Sequence, residues 1–240
     1  MTSTIDIQEV SKSFGKKTVL NNISLSIEPG EIFGLIGPSG SGKTTLVKII
    51  VGMDPPSHGN VKVLNTKVPN LNLLQKIGYM AQADALYNDL TGEENLSFFA
   101  SLFKLKKDVQ RKRIAYAAEL VNLTADLKKR VENYSGGMKR RLSLAVALIQ
   151  DPDVLVLDEP TVGIDPELRL SIWEEIARLK KAGKTILVTT HVMDEAEKCD
   201  RLAMLRDGKI ITSGSPMELK SRYGITSLEE VFLKAGGNNG

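Results

Sequence analysis

The run IFGLIG at residues 32–37 leads directly into GPSGSGKTT at 37–45, and that leads directly into TTLVKIIVG, whose apolar residues recur at helical spacing. An apolar strand, a glycine-rich loop and a helix in immediate succession satisfy GxxxxGK[ST] at Gly37, Gly42, Lys43 and Thr44. The chemistry needs these residue types. Glycines let the backbone wrap so that several N–H groups point inward at phosphate oxygens, and the helix start adds partial positive charge. Lys43 reaches the β and γ phosphates, and Thr44 offers a hydroxyl to Mg²⁺. Gly37, Pro38, Ser39, Gly40, Ser41, Gly42, Lys43, Thr44 and Thr45 are thus the candidate phosphate-binding residues. A plain glycine-rich turn is the bland alternative, but average composition yields such a match by chance in about one per cent of chains of this length.

The loop also constrains the rest of the chain, because it calls for a parallel sheet. VLVLD at 154–158 and TILVTTH at 185–191 are short continuous apolar runs, as expected of strands buried on both faces. By contrast TIDIQEVSKSF and VLNNISLSI alternate apolar and polar residues and read as half-exposed antiparallel strands. Between Thr91 and Gln150 the period becomes helical, with Thr91 and Glu94 spaced as a capping box. Helical patterns return after Pro166, after His191 and after Pro216, and the GGNNG end is expected to fray.

A phosphate loop requires a carboxylate to help hold the metal, usually at the end of a neighbouring buried strand. VLVLDEP supplies Asp158 for Mg²⁺, and Glu159 follows as the group to polarise an attacking water. Two carboxylates merely capping a turn before Pro160 would be the structural alternative. His191 ends the third apolar run by the same geometry, whereas His58 lies among turn residues and is expected to be exposed.

Composition excludes several other classes. One cysteine, Cys199, rules out an internal disulfide or a multi-cysteine metal site, and two histidines are too few for a zinc cluster. A net charge of +3 spread over 32 basic and 29 acidic residues points to no nucleic-acid partner. No secretory signal or membrane-length apolar run is visible, so a cytoplasmic location is expected, with any membrane role borrowed from a partner. KKDVQRKR and LKKR read as solvated helix faces rather than lipid-binding patches.

YSGGMKRRL at 134–142 leaves two readings open: a flexible turn before a solvated basic face, or a helix start that holds an anion. In either case Leu142, Val146 and Ile149 are expected to face the core and Lys139–Arg141 to be mostly solvated.

With GPSGSGKTT, YSGGMKRRLSLAVALIQDPDVLVLDEPT, GID and TTH in that order, the chain resembles the nucleotide-binding subunit of an ABC transporter over nearly its whole length. The resemblance implies an α/β fold: a P-loop NTPase (RecA-like) core with an N-terminal antiparallel β subdomain and an inserted α-helical subdomain. It divides a single ATPase domain into a core at 1–85 and 151–225, a helical subdomain at 86–150, and a C-terminal helix and tail at 226–240. It implies ATP and Mg²⁺ as ligands, with Thr44, Gln82 and Asp158 toward the metal. Glu159, His191, Lys43 and Gln82 would be catalytic. Ser135, Gly136 and Gly137 would contact the γ-phosphate of an ATP held on the P-loop of another subunit. Phe14 resembles the aromatic that stacks on adenine, though alone it reads equally as a core residue. Gln82 resembles the glutamine that senses Mg²⁺ and water, and Asp165 the loop that communicates across the dimer. His191 resembles the switch histidine.

The implied partners are separately encoded transmembrane permease subunits and a second, identical or homologous ATPase subunit placed head to tail. The implied location is the inner face of the cell membrane. Tyr134 and Met138 depart from the commoner LSGGQ pattern. YSGGMKRR and TSLEEVFLKAGG resemble the ATPases of ABC-2 type exporters, including drug-resistance exporters, and at this length the regulatory domain of many sugar-importer ATPases is not expected. An importer ATPase, a soluble ABC ATPase acting on DNA or ribosomes, and a P-loop kinase are the competing readings. The kinase reading leaves the signature loop and Gln82 unexplained.

Overall fold

A computed structural model describes residues 3–83 and 85–237; the last three residues of the GGNNG end, where fraying is expected, lie outside the described residues. In chain order the strands are β1 (Ile5–Phe14), β2 (Lys17–Ile27), β3 (Ile32–Ile36), β4 (His58–Val63), β5 (Thr66–Lys67), β6 (Ile77–Met80), β7 (Val154–Asp158), β8 (Thr185–Thr190), β9 (Arg201–Arg206) and β10 (Lys209–Gly214). The α-helices are α1 (Lys43–Ile50), α2 (Gly92–Leu102), α3 (Lys107–Leu120), α4 (Gly136–Leu148), α5 (Pro166–Lys181), α6 (Met193–Ala196), α7 (Pro216–Tyr223) and α8 (Leu228–Gly237).

These elements form two compact units, residues 1–71 with 185–240, and residues 72–184. In the first, β1 pairs antiparallel with β2 and with β4, so that Ile5 sits opposite both Ile27 and Val63. The alternating residues Ile5, Ile7, Val10, Leu20, Ile23 and Ile27 are all buried, as the period of two requires. Register shifts interrupt the ladder where Glu9 and Asn22 take positive φ, a feature of bulged pairs. A second sheet of the same unit places β3 parallel to β8 and β9, with β10 antiparallel to β9. Every residue of β3 and β8 is buried, including Thr185, Thr189 and Thr190 beside the apolar ILV of β8. Leu219 of α7 and Leu228 and Val231 of α8 pack with Ile36, Leu202 and Met204 in one cluster.

In the second unit β6 and β7 are parallel, with Ile77 opposite Val154 and Met80 opposite Leu157. Helices α2, α3, α4 and α5 belong to this unit. The capping box expected at α2 is present: Thr91 Oγ1 accepts from the Glu94 N–H, and the Glu94 carboxylate accepts from the Thr91 N–H. Hydrogen bonds donated to it by the Thr91 N–H and the Thr91 hydroxyl hold the Glu94 carboxyl below its usual range.

Helix α4 is buried more completely than one apolar stripe would make it. Leu142, Leu144, Ala145, Ala147, Leu148 and Ile149 are buried, while Val146, expected among the core residues, is half-buried. The contact is close because position 78 is glycine: a Cβ there would lie 2.1 Å from the Ala147 carbonyl oxygen. At the same C-terminal end Arg113 donates from Nη2 to the Leu148 carbonyl and from Nε to that of Ile149, satisfying acceptors that a helix end leaves open. The remaining basic residues of KKDVQRKR and LKKR are exposed, as a solvated face requires. Among the described residues no helix is long and apolar enough to cross a membrane.

Candidate nucleotide site

The phosphate loop lies between β3 and α1, in the first unit. Gly37 is fixed by a close approach, since a Cβ would lie 2.2 Å from the Leu205 carbonyl oxygen and 2.8 Å from Ser41 Oγ. Gly40 and Gly42 take φ of 79° and 110°, conformations costly for any residue with a Cβ. Lys43 is buried, and its Nζ donates to the carbonyls of Gly37 at 2.7 Å and Pro38 at 3.1 Å. Pro38, Ser39 and Gly40 are exposed; Thr44 and Thr45 are half-buried. Helix α1 has no side-chain cap and no acid in its first turn, so its N–H groups and dipole are available to an external anion. This cradle fits a polyphosphate.

His191 follows β8 directly and is exposed. Thr190, before it, is buried and donates from Oγ1 to Glu195 Oε2 at 2.7 Å, while accepting from the Val192 N–H at 3.0 Å. The second of these bonds ties the backbone just after His191 to the side chain just before it. Phe14 is no core residue: it is 52% exposed at the end of β1, with the Lys12 ammonium 5.0 Å from its ring centroid. His58 is exposed, as expected. Cys199 is buried against Gly34, and burial pushes its thiol up to about 12, so it stays a neutral core group.

The second unit carries the carboxylates. Asp158 is fully buried at the end of β7, and Glu159 is 9% exposed. Glu159 takes φ of 53°, in the left-handed region where a residue with a Cβ is strained by about 1 to 2 kcal/mol. Its Oε2 accepts a hydrogen bond from Gln82 Nε2 at 3.3 Å, so the two predicted residues meet. Tyr79 of β6 has its phenol pushed up to about 12, first by burial and then by the Asp158 carboxylate, and it remains a neutral neighbour.

Ser135 is the N-cap of α4, its Oγ accepting from the Met138 N–H at 3.2 Å. Ser135 and Gly136 are exposed, and a Cβ on Gly136 would meet nothing within 4 Å. Tyr134, in place of the commoner leucine, is buried and donates its hydroxyl to the Asp126 carbonyl at 2.8 Å. It fits because position 92 is glycine, where a Cβ would lie 2.3 Å from the Tyr134 hydroxyl. Asp165 caps α5 through a bond from the Leu168 N–H at 2.9 Å, which gives it a structural duty of its own.

The basic run differs from its expected solvation. Lys139 and Arg141 are half-buried, with Arg141 Nη1 donating to the Asn122 carbonyl at 3.0 Å, and Arg140 is buried. Arg140 donates to the carbonyls of Ala81, Gln82, Asp158 and Glu159. The sequence held one signal of this: Arg140 stands four residues before Leu144, on a buried face.

Residues 20–162 match the family described as ABC transporter, more than half of the 240. The chain belongs to the ABC transporter family. It is 45% identical over 91% of its length to a Nod factor export ATP-binding protein I of Neorhizobium galegae, and spans 64% of that protein. It is 39% identical over 96% of its length to the linearmycin resistance ATP-binding protein LnrL of Bacillus subtilis (strain 168), spanning 78% of it. Among solved structures, the ATP-binding subunit of an ABC transporter matches with a TM-score of 0.90 at 25% identity, covering 98% of this chain and all of the other. A dimeric ATP-binding cassette in a post-hydrolysis state, bound to ADP and Pi, matches with a TM-score of 0.81 at 29% identity over 88% of this chain and 98% of its own. The ABC chain is accordingly an ATP-binding and ATP-hydrolysing cassette with the P-loop NTPase fold.

Proposed function

We propose that this ABC cassette powers export through a separately encoded membrane permease, and that two copies act together head to tail. The observation that carries the catalytic half of this reading is Glu159, buried, set in a left-handed conformation and hydrogen-bonded to Gln82 at 3.3 Å. A carboxylate fixed in this way is suited to take a proton from an attacking water, with the Gln82 amide beside it to orient that water. Lys43 and the loop from Gly37 to Thr45 would hold the phosphates, and His191 would stabilise charge building on the γ-phosphoryl group. Phe14 would stack its exposed ring on adenine. Ser135 to Gly137 would close over an ATP held by the P-loop of the other copy, and Asp165, at the start of α5, would bear on that same contact.

Mg²⁺ would be held by Thr44, Asp158 and Gln82 together with phosphate oxygens. Among the described residues no cluster of three His, Cys, Asp or Glu side chains could hold a metal by itself. Bound Mg²⁺ supplies neutralisation of phosphate charge. Export and a permease partner are favoured by the export and resistance functions named for the relatives, and the lack of a membrane-length helix among the described residues requires any membrane-spanning partner to be another chain or segment. A cassette acting in this way would sit at the cytoplasmic face of the membrane.

Glu159→Gln tests the reading. The variant is expected to bind ATP as the parent does, to lose turnover by about 10²- to 10⁴-fold as removal of a general base does, and to accumulate a closed dimer in size-exclusion chromatography with ATP. Normal turnover would sink the assignment. Co-purification with a polytopic membrane protein separates the transporter role from a soluble one.

A further inference from the structure

Arg140 lies within the basic run after the signature glycines, and its guanidinium is buried. Burying a charge is unfavourable unless polar groups replace the lost water. Here four carbonyls do so in a fixed pattern. Nη1 donates to the carbonyls of Ala81 at 2.7 Å and Gln82 at 2.9 Å, and Nη2 to those of Asp158 at 2.5 Å and Glu159 at 2.6 Å. Each terminal nitrogen carries two hydrogens, so the planar fork has one N–H for each carbonyl.

The four acceptors come from two segments at the C-terminal ends of neighbouring parallel strands, β6 and β7. Those segments carry the two residues that meet as side chains, Gln82 and Glu159. Glu159 has a φ of 53°, so its peptide needs an outside constraint to stay in place. The Arg140 hydrogen bond to its carbonyl supplies one. Arg140 is also on α4, five residues after the Ser135 that caps that helix.

We propose that Arg140 is a positioning residue for hydrolysis: its guanidinium fixes the backbones of Gln82 and Glu159, and so ties the aim of the Glu159 carboxylate to the position of the signature helix. This rests on the proposed roles of Glu159 and Ser135. Under them, Ser135 engages the ATP of the other copy while Glu159 serves the ATP of its own, so Arg140 connects the closure of one site to the readiness of the other. Lysine cannot replace the fork, because a single ammonium cannot span both pairs of carbonyls.

The test compares Arg140→Gln and Arg140→Lys with Glu159→Gln, measuring ATPase kcat, ATP affinity by titration of a fluorescent ATP analogue, and thermal unfolding. Arg140→Gln is expected to lower kcat about 100-fold, the scale of an ångström-sized misplacement, with affinity unchanged; Arg140→Lys should recover part of the loss. In the Glu159→Gln background, Arg140→Gln should slow hydrolysis no further, because both act on one group. Normal kcat in Arg140→Gln overturns the proposal. So does a loss of affinity equal to the loss of kcat, or an additive loss in the double variant, since either would make Arg140 a support for the fold. Unimpaired hydrolysis in Glu159→Gln alone would overturn the base assignment instead, independently of the Arg140 single variants.

Discussion

The starts of α1 and α4 are both glycine-flanked, and they differ in what they do with the N–H groups of their first turns. Both α1 and α4 lack an acid in the first turn, whereas α2, α3, α5, α6, α7 and α8 each carry one or two. An acid there would satisfy the helix dipole from within. Leaving it out reserves that end for something external. The similarity stops at the surroundings. At α1 the cradle is pre-formed, with Lys43 buried and folded onto the carbonyls of Gly37 and Pro38. At α4, Ser135 and Gly136 are exposed, and one N–H, that of Met138, is capped by Ser135 itself. A pre-formed cradle suits a ligand bound by one subunit alone. An open, half-capped start suits a ligand that arrives already held by another copy.

Three substitutions break or sharpen that contrast. Ser135→Arg should have the largest effect: a bulky cation at the exposed start of α4 would remove the donor set proposed for the second copy's nucleotide. Turnover should fall about 1,000-fold, at the upper end for loss of a preorganised donor, while ATP binding to the isolated subunit stays intact. Weakened binding in the isolated subunit would erase the contrast. Lys43→Ala should behave oppositely, weakening ATP binding itself by about 100-fold, the equivalent of a charged hydrogen bond of about 2 to 3 kcal/mol; calorimetric titration reads this directly. Tyr134→Phe should have the smallest effect. It removes only the hydroxyl that reaches the Asp126 carbonyl beside the α4 start. A loss of about 1 kcal/mol in denaturant unfolding is expected, with turnover retained.

The two regions also differ in how legible they were in the sequence. The phosphate loop could be read because its chemistry is local: glycines, Lys43 and Thr44 lie in one short stretch between a strand and a helix. Period likewise marked β3, β7, β8 and α5, where burial on both faces or on one stripe leaves a direct imprint on residue order. The β9–β10 hairpin was passed over, although Asp207-Gly208 is a strong two-residue turn signal and both residues take positive φ. Around α4 residue order is a poor guide, because burial there is set by partners distant in sequence. Arg140 looks like any surface cation until the carbonyls at the ends of β6 and β7 surround it, two of which, those of Gln82 and Asp158, lie 58 and 18 residues away. Val146 failed to be a core residue for the same reason. Asp165 shows the converse: its cap on α5 is plain in the structure, while its part across a dimer rests on resemblance.

The left-handed backbone at Glu159 filters substitutions in two unrelated ways. Turnover would demand a carboxylate of that length, whereas folding asks only for a side chain that tolerates positive φ. Asparagine and glycine meet the second demand easily and valine, isoleucine and threonine meet it poorly. In a saturation library at this position, soluble yield and ATPase activity would therefore rank the amino acids in different orders, and inactive members with good yield would be the useful ones for trapping a closed assembly.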